Sequence, residues 1–168
     1  MLYSAETFTL YRRHINRLST VQLRHLRTIM GISWKDKVTN VEVLNRANMP
    51  SIESILAQIQ LRWTGHVIRM PEERIPKTLL YSELSLGKRT RGRPLLRYKD
   101  VVKRTIRAAD MPADWECLAK DRPAWRRLVQ QGAGRIQVSW AQSQEERRAR
   151  THARAEGRPL QASSDKMA

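Results

Sequence analysis

Apolar residues recur at three- and four-residue steps along most of the chain, and that period predicts helices. The clearest run is Ile52, Ile55, Leu56, Ile59, Trp63, Val67 and Met70, about five turns of helix. Ser51 is placed to cap its N-terminus, Glu53 sits in the first turn, and Pro71 ends it. An earlier helix spans Tyr11 to Met30, with Ile15, Leu18, Leu23, Leu26, Ile29 and Met30 on one face. Its register breaks between Leu18 and Leu23, and Gly31 is placed as a left-handed cap. Thr39 or Asn40 can cap a short helix carrying Val41, Val43, Leu44 and Ala47.

Pro76 begins a helix from Lys77 to Leu84 with Leu79, Leu80 and Leu84 inward. Pro94 suits the first turn of another, which uses Leu95, Tyr98, Val101, Val102, Ile106 and Ala109. Asp114 or Asp121 caps the following turns, where Trp115, Leu118, Trp125, Leu128 and Val129 supply contacts and Gly132 ends the core. No convincing period-two strand occurs outside the first ten residues, where Tyr3, Phe8 and Leu10 read as a strand end or a helix start. The expected fold is mainly α, an irregular helical bundle of about five to seven helices with a basic loop and a disordered C-terminal tail. The expected division is a helical domain over 1–132 and a basic tail over 133–168. From Gln142 the composition turns charged and loses aromatics. That predicts helix up to Arg154 and disorder beyond.

Charge sharpens this outline. Among 168 residues, 32 Lys and Arg stand against 16 Asp and Glu, a formal net charge of +16. Such an excess repels itself unless an anion relieves it, so a polyanion partner is expected. RNA and/or DNA is preferred to an anionic membrane, and no apolar run approaches the roughly 20 residues that span a bilayer. The single cysteine, Cys117, points to a reducing compartment, hence an intracellular protein, nuclear and/or cytoplasmic.

The candidate phosphate contacts are Arg12, Arg13 and Arg17 off the apolar face of the first helix, and Lys35 and Lys37 beside Trp34. Trp34, in a loop, is the best candidate for base stacking. The stretch KRTRGRPLLRYKD adds Lys88, Arg89, Arg91, Gly92, Arg93, Arg97 and Lys99, and the helix after it adds Lys103 and Arg104. The competing reading of each is a solvated face. Arg91-Gly92-Arg93-Pro94 resembles the core of the AT-hook, in which two arginines lie along a narrow minor groove. Thr90 stands where that motif usually has proline.

Catalytic and metal chemistry find no foothold. Cys117, His14, His25, His66 and His152 lie far apart without paired zinc spacing. Nothing near Cys117 would lower its pKa, so it reads as a small buried apolar side chain. His66 reads as a hydrogen-bonded residue at the core edge. Glu72-Glu73 and Glu145-Glu146 are adjacent and do not converge for two-metal catalysis. There is no Walker-type loop. No catalytic residue, metal ligand or cofactor is assigned.

Several phrases in order carry a family resemblance: Ile32 to Lys37, Leu61 to Met70, Gly87 to Asp100 and Asp121 to Leu128. Over residues 2 to 150 the chain resembles the region after the polymerase active site in non-LTR (LINE-type) retrotransposon reverse transcriptases. The parent type is an RNA-directed DNA polymerase with an endonuclease. Its palm carries a Tyr-x-Asp-Asp-type metal pair, and this chain has no Asp-Asp. Some site-specific elements of the wider group carry a Cys-Cys-His-Cys knuckle downstream of the polymerase, and that knuckle is absent here. The resemblance therefore implies a C-terminal, thumb-side fragment, not an enzyme by itself, that works with upstream reverse transcriptase domains and binds template or target strands. The alternatives are a standalone DNA-binding protein using the AT-hook-like segment, or a degenerate element copy with no selected function.

Overall fold

The computed structural model describes residues 5–7, 9–82 and 97–156. Among them are seven α-helices and no strand. They are α1 (Arg12–Ile29), α2 (Asn40–Arg46), α3 (Ile52–Ile68), α4 (Ile75–Tyr81), α5 (Tyr98–Ala108), α6 (Trp115–Leu118) and α7 (Arg122–Glu156), with a short 3-10 turn at Trp34–Asp36. The architecture is an all-α bundle, as the apolar period predicts. No helix among the described residues is long and apolar enough to cross a membrane.

Local chemistry accounts for most of the boundaries. Gly31 takes φ 63°, and the Ile32 N–H returns to the Arg27 carbonyl at 2.9 Å, which closes α1. The Thr39 hydroxyl accepts from the Glu42 N–H at 3.2 Å and opens α2. The Ser51 hydroxyl accepts from the Ser54 N–H at 3.3 Å and opens α3. Pro76 lies in the first turn of α4, where its missing N–H leaves no bond unmade.

The long helix α7 packs along α3 and joins the buried clusters. Three contacts set these two helices antiparallel: the Trp125 indole N–H donates to the Leu61 carbonyl at 3.0 Å. The Ser54 hydroxyl donates to the Ala133 carbonyl at 2.8 Å, and the Gln137 side-chain oxygen accepts from the Ser51 N–H at 2.8 Å. The neighbouring Ile52 N–H donates to the Gln22 side chain of α1 at 3.0 Å. Two of the orphan donors at the start of α3 are thus satisfied by side chains from two other helices. Thr105 of α5 donates to Gln60 of α3 at 3.0 Å, both residues buried. Around these bonds Leu61, Val67, Val102, Ile106, Trp125 and Val129 form the main core. Burial pushes the pKa of the Tyr98 hydroxyl up at its edge.

Several sequence expectations are corrected. Gly132 does not end the core: α7 runs through it, Ile136 lies in the main cluster, and Trp140 is 7% exposed against Leu23, Val43 and Leu44. The change to charged composition at Gln142 marks where α7 emerges from the bundle. Ile29, expected on the buried face of α1, is 79% exposed, and Leu79 of α4 is also exposed. Cys117 is exposed, since α6 is a single turn that buries none of its residues. His66 is exposed and has no hydrogen bond among the described residues, its ring lying 5.3 Å from that of Trp63. Phe8 and the expected disordered end beyond Glu156 lie outside the described residues.

The close approach of α3 and α7 can be tested at two glycines. A Cβ at Gly65 would lie 2.0 Å from the Trp125 indole nitrogen, whereas one at Gly134 meets nothing within 4 Å. Gly65→Ala should destabilise the fold by about 1–3 kcal/mol despite its better helix propensity. Gly134→Ala should stabilise it by about 0.5–1 kcal/mol. Thermal denaturation followed by circular dichroism should give Tm shifts of opposite sign.

Candidate nucleic-acid interface

The predicted basic residues separate into groups that differ in how free their charges are. At the start of α1, Arg12 forms an ion pair with Glu53 of α3, and Arg13 lies over the Tyr11 ring at 5.7 Å. Arg17 is exposed one turn further on. At the N-terminus of α5, Arg97 closes a ring with Asp100 through contacts of 3.1 and 3.2 Å, so part of its charge is already spent. Lys103 is exposed, and Arg104 reaches across to the Leu10 carbonyl at 3.3 Å. Arg12 and Arg104 line the same apolar-walled cavity, so the structure brings the first turn of α1 beside α5. Lys99 is half-buried.

The second group lies past the other end of α1, an 18-residue helix about 27 Å long. Trp34 is 84% exposed there, with Lys35 and Lys37 exposed beside it. The turn that carries them is held by local bonds. The Ser33 N–H donates to Asp36 at 2.6 Å, the Ser33 hydroxyl accepts from the Lys35 N–H at 3.4 Å, and Lys37 takes a left-handed conformation with φ 50°. Arg27 of α1 donates to the Asn40 side chain at 2.8 Å and to the Val38 carbonyl at 3.3 Å, which ties the segment after the turn to the bundle. Arg27 therefore acts as a brace.

Two residues join this second group that the sequence pattern did not single out. Arg147 and Arg148 of α7 line one cleft together with Lys37, Asn40 and Gln144. Their contribution was hidden because the chain after Gly132 reads as a tail. The signal in the sequence is the apolar step Val129, Ala133, Ile136, Trp140, which carries the helix period past Gly132. Arg62 of α3, Arg69 at its C-terminal end, and Arg122 and Arg126 of α7 form a third basic region. The proposed loop contacts Lys88, Arg89, Arg91, Gly92 and Arg93 lie outside the described residues.

The five tryptophans divide clearly. Trp125 and Trp140 are buried, Trp63 and Trp115 pack against the main cluster, and only Trp34 presents its ring to solvent. An exposed indole beside lysines can stack on a base while the lysines approach neighbouring phosphates. Among the described residues no three His, Cys, Asp or Glu side chains are grouped to hold a metal ion.

Trp34→Ala should leave the Tm unchanged, because the ring packs against nothing that holds the bundle. If Trp34 stacks on a base, its loss should weaken binding of a single-stranded oligonucleotide by about 1–3 kcal/mol, measured by fluorescence anisotropy.

Comparison with protein-family models, with curated proteins and with solved structures finds no match to this chain in any of the three.

Proposed function

We propose that this chain is a non-catalytic nucleic-acid-binding module, similar to the thumb-side region of a non-LTR retrotransposon reverse transcriptase, that grips RNA or DNA through phosphates. The observation that carries the reading is electrostatic. Arg17, Lys35, Lys37, Lys103, Arg147 and Arg148 are exposed without a carboxylate partner among the described residues, on a chain of net charge +16. A rigid bundle displaying many unneutralised cations releases counterions from a polyanion when it binds. The exposed Trp34 adds a surface for an unpaired base, which suits single strands as well as duplexes.

The ordered phrases from Ile32 to Leu128 support the origin in such an element. On that reading, upstream reverse transcriptase domains supply the chemistry, and this chain holds the template or target strand near them. Phosphate contacts position a strand without reading its sequence.

Two measurements on the purified chain test the proposal. The logarithm of the association constant for duplex DNA should fall linearly with that of salt concentration, with a slope of about −0.9 for each phosphate neutralised. A constant that does not change between about 50 and 200 mM salt would remove the electrostatic basis. Primer extension on an RNA template should give no product, and extension by the isolated chain would overturn the non-catalytic assignment.

A further inference from the structure

The antiparallel contact of α3 and α7 leaves a cleft of about 690 Å³ beside Trp125 and Val129, a size typical of small-ligand clefts. Arg62 and His66 of α3 and Arg69 at its C-terminal end line it, with Arg122 and Arg126 of α7. No carboxylate lines it. None of the four arginines forms an ion pair among the described residues. The antiparallel register sets Arg69 towards Arg122 at one end and Gln58 towards Gln130 at the other. The cationic end coincides with the N-terminus of α7, whose peptide dipoles add positive potential and whose first turn follows Asp121, a carboxylate that does not line the cleft.

Arg69 is the informative side chain. One terminal nitrogen donates to the Ala119 carbonyl, while its Nε is buried and has no partner. Burial and the Arg122 guanidinium both push its pKa down from the ordinary arginine value. Two like charges are thus held near each other, one of them partly desolvated, with no anion from the protein between them. Such an arrangement is costly when empty and favourable when an anion with several acceptor oxygens enters.

We propose that this cleft is a phosphate-binding site in which Arg69 and Arg122 hold a phosphoryl group and Arg62, Arg126 and His66 complete its surround. Guanidinium forks match the oxygens of phosphate in paired hydrogen bonds. The phosphate arrives either on a nucleic-acid strand or as a free phosphate compound, and the two sources share this chemistry. The inference stands on the cleft and goes beyond the general affinity proposed above, so it survives if the chain binds no nucleic acid.

The test uses the full 168-residue chain and inorganic phosphate as probe. Thermal unfolding is compared in chloride and in phosphate at equal ionic strength. Arg122→Gln should raise the Tm in chloride, because it relieves the repulsion on Arg69, and should lose most of the Tm gain that phosphate gives the parent chain. Arg24→Gln, an exposed change on α1, should keep that gain. Arg126→Gln serves as a second variant if Arg122→Gln does not fold, and it should reduce the gain in the same direction. An equal phosphate gain in the parent chain and the folded cleft variants, or no gain in the parent, overturns the site. The source is then assigned with an oligonucleotide. A tenfold or greater loss of strand affinity in the cleft variant, with competition by phosphate, supports the site and places a strand in it. Unchanged strand affinity beside a lost phosphate gain supports the site and makes its ligand a free phosphate compound.

Discussion

The bundle depends on how closely α7 can lie against α3. The Trp125 indole occupies the space a side chain at residue 65 would need, and its N–H is satisfied by the Leu61 carbonyl one turn earlier. A buried indole nitrogen without a partner would carry a desolvation cost of about 1–3 kcal/mol, so this bond lets the largest side chain of the core enter it. The same register brings Ser54 to Ala133 and Gln137 to the start of α3. Gln22 of α1 reaches that helix start as well, through both its side-chain atoms, accepting from Ile52 and donating to the Pro50 carbonyl at 2.9 Å. One helix–helix contact therefore orders three helices, and α5 adds itself through the buried pair of Thr105 and Gln60.

Charge works against this compactness. A net charge of +16 on 168 residues repels itself, and several carboxylates are engaged in pairs with particular basic side chains. Glu53 pairs with Arg12, Asp100 with Arg97, Glu42 with Arg46, and Glu72 with Lys77. Among the described residues, groups of unpaired cations lie on the α1–α5 side, at the Trp34 turn with the later turns of α7, and in the α3–α7 cleft. Exposed pairs of this kind contribute little stability each. Their effect is to decide which cations stay available, and most of the ones left over lie on helices, so that on binding only their side chains remain to be ordered.

The cost of such a surface differs among the three places. On an exposed helix face each guanidinium keeps its water, and screening by salt limits repulsion to near neighbours. In the cleft, Arg69 has lost part of that water and faces Arg122. On the proposal above, an anion bound there would relieve this repulsion.

Much of the helical content was legible in the sequence because local chemistry controls it. The caps at Thr39 and Ser51, the glycine after α1 and the apolar steps of α3 each act within a few residues, so their outcome is readable from neighbours alone. The exposed Trp34 turn was legible for the same reason. Burial was less so: Ile29 and Cys117 are apolar by type yet exposed, because the last turn of α1 packs through Leu26 and Met30 and the single-turn α6 through Trp115, which leaves these two on the outer side. The end of the core was misread at Gly132, a residue whose lack of a side chain admits Ala109 rather than stopping the helix, since a Cβ there would lie 2.8 Å from the Ala109 methyl. The sequence by itself determined an all-helical chain with an excess of cations. Only the tertiary structure decided that Arg12 is neutralised by Glu53, that Arg27 braces Asn40 and that Arg69 and Arg122 line one cleft, because those relations join residues that neighbouring positions do not specify and depend on helix register.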